Sequence, residues 1–205
     1  MIRAVCFDFD GTLAEFTGDF DKLGLETYRR LGLETTSPCG LSEADPGPLF
    51  QSYWRHQRAD GAVTVESALR NALEELSLVP PYDVRQAASE MVAGYASQVE
   101  LLPGALEVLG YFSRLPMALI TNGPSDIQRA AVQSVGIEGY FQAILVSGDE
   151  EVASRKPNAR IFRLACERLG AEPANVLMIG DNLEADIQGA IAAGMPALHI
   201  QGARP

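Results

Sequence analysis

Val5-Cys6-Phe7-Asp8-Phe9-Asp10-Gly11-Thr12-Leu13 is the stretch on which the fold turns. Apolar residues lead in as a buried strand would, and Gly11 ends the strand with a sharp turn. Asp8 and Asp10 therefore point out of a strand end into a loop. Residues i and i+2 of a strand share a face, so two carboxylates at that spacing start close enough to repel each other. A divalent cation is the simplest way to offset the repulsion. Taken alone, an Asp-x-Asp-Gly run is as readily a turn in which Asp caps local amides, and the rest of the chain decides between the two.

Four further apolar runs, 117–120, 143–146, 176–179 and 196–200, read as buried parallel strands. None alternates strictly, as expected of strands covered on both faces. Helical patterns separate them: within 158–170, Phe162, Ala165, Cys166 and Leu169 recur at i, i+3, i+4 and i+7, and Gly170 supplies a stop. This alternation predicts a doubly wound α/β fold with a mainly parallel five-stranded sheet. From about residue 15 to 100 the pattern is helical only. Phe20, Leu23, Thr27 and Leu31 mark one helix, and Leu49, Phe50, Tyr53, Trp54 and Gln57 a second. Val65, Ala68, Leu69, Ala72, Leu73 and Leu76 mark a third, and Val84, Ala88, Met91, Val92, Tyr95 and Val99 a fourth. Asp45 before Pro46, then Thr64 and Asp83, serve as helix starts, and 35–48 reads as a connector. The expected organisation is an α/β core of residues 1–15 and 100–205 with an α-helical bundle, 16–99, inserted as a cap.

Sixteen basic residues against 27 acidic ones give a net charge of −11. That argues against a nucleic-acid partner, since phosphate neutralisation needs clustered Lys and Arg. It leaves room for a small phosphorylated ligand, because a few local cations and a metal can outweigh the global field inside a pocket. Cys6, Cys39 and Cys166 lack metal-ligand spacing. No apolar run approaches a membrane span, and the first residues enter a strand directly, so the expectation is a cytoplasmic monomer or homodimer with no membrane partner.

Three more polar clusters fall where strands should end. Thr121-Asn122-Gly123-Pro124 offers a hydroxyl and backbone amides at a helix start, where an anion is favoured. Arg155-Lys156-Pro157 puts a cation at the wrong end of a helix dipole, so Lys156 calls for an anionic partner. Asp181 and Asp186, in Gly180-Asp181-Asn182-Leu183-Glu184-Ala185-Asp186, stand at a strand terminus and about one turn into the next helix. All four clusters map to the carboxyl edge of the sheet, where open α/β folds bind ligands.

With these motifs in this order the chain resembles the haloacid dehalogenase superfamily, in its phosphatase-rich branch with a helical cap after the first strand. The resemblance implies that Asp8 attacks phosphorus to form an aspartyl phosphate and that Asp10 is the general acid and base. Thr121, Asn122 and Lys156 would hold the phosphoryl group, and Lys156 would also stabilise Asp8. Asp8, the Asp10 carbonyl and Asp181 would ligate Mg²⁺, with Asp186 a direct or outer metal-site acid. The second Asp favours phosphoryl transfer over dehalogenation, because a halide leaves without a proton whereas an alkoxide needs one. The leading expectation is a Mg²⁺-dependent phosphatase of a small phosphorylated metabolite. The alternatives are a phosphosugar mutase of the same family and a non-catalytic binding or regulatory protein on the same fold. Of the other residues, His56 and His199 read as structural or exposed, Tyr53 and Trp54 as cap core, and Cys6 as a buried hydrophobe; Arg29, Arg30, Arg55, Arg58 and Arg85 could reach substrate if the cap closes, but read mainly as solvated helix faces.

Overall fold

A computed structural model describes residues 1–33 and 47–201. The helix start expected at Asp45-Pro46, most of the 35–48 connector and Cys39 lie outside them. Five parallel strands, β1 (Ala4–Phe7), β4 (Met117–Thr121), β5 (Ala143–Val146), β6 (Val176–Gly180) and β7 (Ala197–His199), form one sheet in the order β5-β4-β1-β6-β7. From β1 the chain builds outward to β5 on one side, then returns to add β6 and β7 on the other. The reversal opens a crevice at the carboxyl end of β1, the topological switch point of such sheets.

Both faces of the sheet are covered, as the unalternating strands require. Val5 and Phe7 of β1 pack with Met117, Leu119 and Leu109 on one face, while Ala4 and Cys6 pack with Ala118, Ile120, Phe162 and Ala165 on the other. The second face is covered by α7 (Ala159–Leu169), which Asn158 caps and Gly170 ends in a left-handed conformation, φ 63°. Its 3.6-residue spacing carries Cys166 into that core.

Four helices, α1 (Phe20–Arg30), α2 (Gly47–His56), α3 (Val65–Glu75) and α4 (Val84–Ala96), stand between two short strands, β2 (Ala14–Phe16) and β3 (Val99–Leu101). The two strands pair antiparallel, Phe16 opposite Val99 and Ala14 opposite Leu101, and form the stem of the insert. Thr64 and Asp83 cap α3 and α4 through their side chains, as their residue types favour. The apolar faces of α1 to α4 continue into the core beneath them, and α4 also packs on α6 (Ser125–Ser134), so one hydrophobic cluster joins cap and sheet. Among the described residues no helix is long and apolar enough to cross a membrane.

Candidate active site

Asp8 and Asp181 sit just beyond the central strands β1 and β6, and Thr121 ends β4. Asp8 follows β1, and its amide donates to the Ile179 carbonyl of β6 at 2.9 Å, extending the ladder by one residue. The chain then turns sharply: the Gly11 amide donates to the Ala14 carbonyl at 2.8 Å, with φ of 81° at Gly11. A β-carbon there would collide with the Asp181 carboxylate, so this position needs glycine for its backbone and for its neighbour. The turn aims Asp8 and Asp10 differently, and their carboxylates have separate partners.

Asp8 is buried against Lys156, whose Nζ lies 2.5 Å from Oδ1. The same ammonium stands 2.7 Å from Asp186 Oδ1 and donates to the Ile120 carbonyl at 2.9 Å. Lys156 thus finds two anionic partners, and they raise its pKa against the opposing effect of burial. Asn122 fixes the lysine's backbone from both sides: its Oδ1 accepts from the Lys156 amide at 2.8 Å and its Nδ2 donates to the Lys156 carbonyl at 3.0 Å. The Asn122 side chain thus positions Lys156, and Asn122 also lines the cavity described below.

Asp181 follows β6, and Asp186 lies on a π-helical turn, Leu183–Gln188, that Asn182 caps. Carboxylate oxygens of Asp8, Asp181 and Asp186 lie within 4.8 Å of one another. Asp186 is fully buried, and beside the ammonium its Oδ1 has no hydrogen bond of good geometry. Burial pushes the Asp8 carboxyl up to about 7 against the pull of Lys156, and Asp186 and Asp10 add to the rise. Three clustered carboxylates, two of them sharing the one ammonium, form an oxygen-rich set with excess negative charge that fits a hard divalent cation.

Asp10 faces away from that cluster. Gln128 Nε2 donates to its Oδ2 at 3.0 Å, and the Tyr95 hydroxyl, on α4 of the cap, donates to Oδ1 at 3.3 Å. Burial raises the Asp10 pKa, and these two hydrogen bonds hold the rise back. Gln128 also accepts from Thr121 Oγ1 at 3.0 Å, so Thr121, Gln128, Asp10 and Tyr95 form one chain from β4 to the cap. Thr121 is buried behind Gln128. Neither Gln128 nor Tyr95 stands out in the sequence, where each occupies an ordinary position of a helical pattern.

A cavity of about 330 Å³ opens between cap and core, with Asp10 and Asp181 on its floor. Phe16, Phe20 and Trp54 contribute an aromatic wall continued by Tyr95, whose ring stacks on Phe16 at 4.6 Å. The expected pairing of Tyr53 and Trp54 in the cap core divides: Tyr53 is buried, whereas Trp54 is exposed, and both line the cavity. Consecutive helical residues do not share a face. Arg58 is exposed, as expected, and also lines the cavity, whereas Arg30, Arg55 and Arg85 pair with Glu90, Glu75 and Glu66. His56 meets Glu75 at 2.9 Å, and His199 Nε2 meets the Asp181 carbonyl at 2.9 Å, where it buttresses the strand end.

The chain matches the haloacid dehalogenase-like hydrolase family over residues 2–194 and belongs to it. It is 35% identical over 146 residues to a phosphoserine phosphatase of Thermus thermophilus, covering 68% of this chain and 56% of that protein's length. Identity to a phosphoglycolate phosphatase of Shigella boydii is 30% over 220 residues, covering 97% and 81% of the two chains. The crystal structure of a HAD phosphatase from Thermococcus onnurineus superposes with a TM-score of 0.74 at 23% identity, over 100% of this chain and 89% of the other, and so shares the fold.

Proposed function

We propose that the protein is a Mg²⁺-dependent phosphatase that hydrolyses a small phosphorylated metabolite through an aspartyl phosphate on Asp8. The observation that carries this reading is the division of labour between two neighbouring carboxylates. Asp8 is held by Lys156 beside the acidic cluster, while Asp10, two residues on, has its own neutral partners and faces the cavity. A carboxylate nucleophile and a separate proton carrier are the two groups that hydrolysis through a covalent intermediate requires.

In the first half-reaction an Asp8 oxygen bonds to phosphorus and the bond to the alkoxide breaks. Asp10, its carboxyl raised by burial, gives its proton to the departing oxygen. In the second, Asp10 takes a proton from water as the water oxygen attacks phosphorus, and the bond to Asp8 breaks to release phosphate. Lys156 holds Asp8 in place and balances the charge gathered at the phosphoryl group. Thr121 acts with Gln128 behind Asp10, and Asn122 acts by fixing Lys156. The oxygens of Asp8, Asp181 and Asp186, with the Asp10 carbonyl, would hold Mg²⁺. Bound there, the ion offsets repulsion between the anionic nucleophile and an anionic phosphoryl group. Residues 16–99 serve as a cap that covers the cleft and selects the substrate, and 1–15 with 100–205 carry the chemistry.

Release of inorganic phosphate from a panel of phosphorylated sugars, nucleotides and short organic acids tests the reading. Turnover that needs Mg²⁺ and is lost in Asp8→Asn supports it, and turnover that survives thorough chelation or the substitution rules it out.

A further inference from the structure

The cavity has a second polar end that the chemistry above leaves unused. Arg155, immediately before Lys156, is half-buried and lines it; Arg58, which follows α2 in the cap, is exposed and lines it too. The Arg155 guanidinium reaches the Gln57 carbonyl at 3.4 Å and the Ser147 hydroxyl at 3.5 Å, both long contacts to neutral oxygens. Among the described residues neither arginine has a carboxylate within ion-pair reach, unlike Arg55 with Glu75 or Arg129 with Asp149. Burial and the like charge of Arg58 weaken the hold of Arg155 on its proton, against the smaller opposing effect of Asp60. Half-buried Arg155 and exposed Arg58 give this end of the cavity a positive charge that Asp60 offsets only from outside ion-pair distance, so an anion entering the cavity there would meet two guanidinium groups.

Sheet order separates the two ends. The cavity's acids, Asp10, Glu15 and Asp181, come from the β1, β2 and β6 side, whereas Arg155 leans on Ser147, just past β5 at the far edge. Two strand spacings separate β1 from β5, about 10 Å. Aromatic side chains line the space between cap and floor.

We propose that Arg58 and Arg155 form a subsite for a second anionic group on the substrate, so that the enzyme takes a phosphomonoester carrying a carboxylate or a second phosphate. The sideways offset between the two ends is on the order of 10 Å, two strand spacings. The assignment of the first end rests on the phosphatase reading. The second end fits either anion, since a guanidinium pairs with both through two parallel hydrogen bonds.

The test measures binding apart from turnover. Calorimetry on the intact protein with Mg²⁺ compares ω-carboxyalkylphosphonates of two to five carbons, the corresponding bisphosphonates, and alkylphosphonates of equal length without the second charge. At least one doubly anionic probe is expected to bind about tenfold or more tightly than its alkyl counterpart, as charge-assisted hydrogen bonds allow. That ratio is expected to fall towards one in Arg155→Gln and in Arg58→Gln, and to persist in Arg70→Gln, which changes net charge equally on the outer cap. The series that shows the ratio tells carboxylate from phosphate. Equal binding of charged and uncharged tails at every length overturns the proposal, as does a preference unchanged in both arginine variants. If no phosphate ester is hydrolysed but the arginine-dependent ratio appears, the phosphatase reading fails while the subsite stands.

Discussion

Replacing Lys156 with Met tests the electrostatics on which the site is built. The ammonium is nearly fully buried between Asp8 at 2.5 Å and Asp186 at 2.7 Å, and Asp186 is itself fully buried. Met keeps the length and apolar stem of the side chain but removes the charge, leaving two carboxylates without their shared cation. Breaking a buried ion pair from one side costs about 3–5 kcal/mol. Adding Asp186→Asn removes one orphaned charge and is expected to return about 1–3 kcal/mol, the penalty of an unsatisfied buried polar group. The pair is therefore non-additive: the double variant is more stable than Lys156→Met alone. Urea unfolding in the presence of a chelator, with the slope compared among variants, reads both quantities. A loss below about 1 kcal/mol in Lys156→Met, less than a typical single hydrogen bond contributes, or simple additivity in the double variant, would refute the claim that one ammonium neutralises two buried acids.

Gln128→Met removes a hydrogen bond that lowers the Asp10 pKa, so the Asp10 carboxyl rises further. The alkaline limb of kcat/KM, which requires Asp10 protonated as acid to the leaving group, is expected to move to higher pH; a limb that stays put or moves down counts against that role. Gly11→Ala forces a β-carbon onto the Asp181 carboxylate and a left-handed φ on alanine. A backbone cost of about 1–2 kcal/mol should accompany a roughly tenfold higher Mg²⁺ requirement, by analogy with outer-shell changes at metal sites. A Mg²⁺ titration that superposes on wild type excludes the link between this turn and the cation. Asp10→Asn, given an aryl phosphate whose leaving group departs without a proton, should release a burst of aryl alcohol and then turn over slowly. Equal loss in both phases makes Asp10 something other than acid and base.

Much of this was readable in the sequence because it is local. Strands covered on both faces show as short apolar runs, and α7 is visible from Phe162, Ala165, Cys166 and Leu169. Thr64 and Asp83 announce helix starts through chemistry confined to a single turn. Lys156 was expected to have an anionic partner from its place against a helix dipole; the structure supplies two. What escaped depends on residues far apart in the chain. The three-residue strands β2 and β3 exist only because Phe16 meets Val99 across the whole insert. Tyr95 reaches Asp10 across 85 positions. Gln128 resembles any polar residue of an amphipathic helix until α6 packs beneath α4 and buries it. Arg155 and Arg58 come together only where cap meets core. Trp54 shares a helix with Tyr53, but a step of one residue turns it out of the cap core to an exposed place on the cavity wall.

The central claim is that Asp8 becomes covalently phosphorylated, and the direct measurement is acid quenching during turnover followed by peptide mass spectrometry. The Asp10→Asn variant with an aryl phosphate provides the condition under which the intermediate should accumulate. The account predicts a phosphoryl group on the peptide that contains Asp8, assigned to Asp8 by fragmentation, building up at the rate of the burst and absent from Asp8→Asn. Steady phosphate release with no phosphoryl group on the protein, or with the group on another residue, would contradict it.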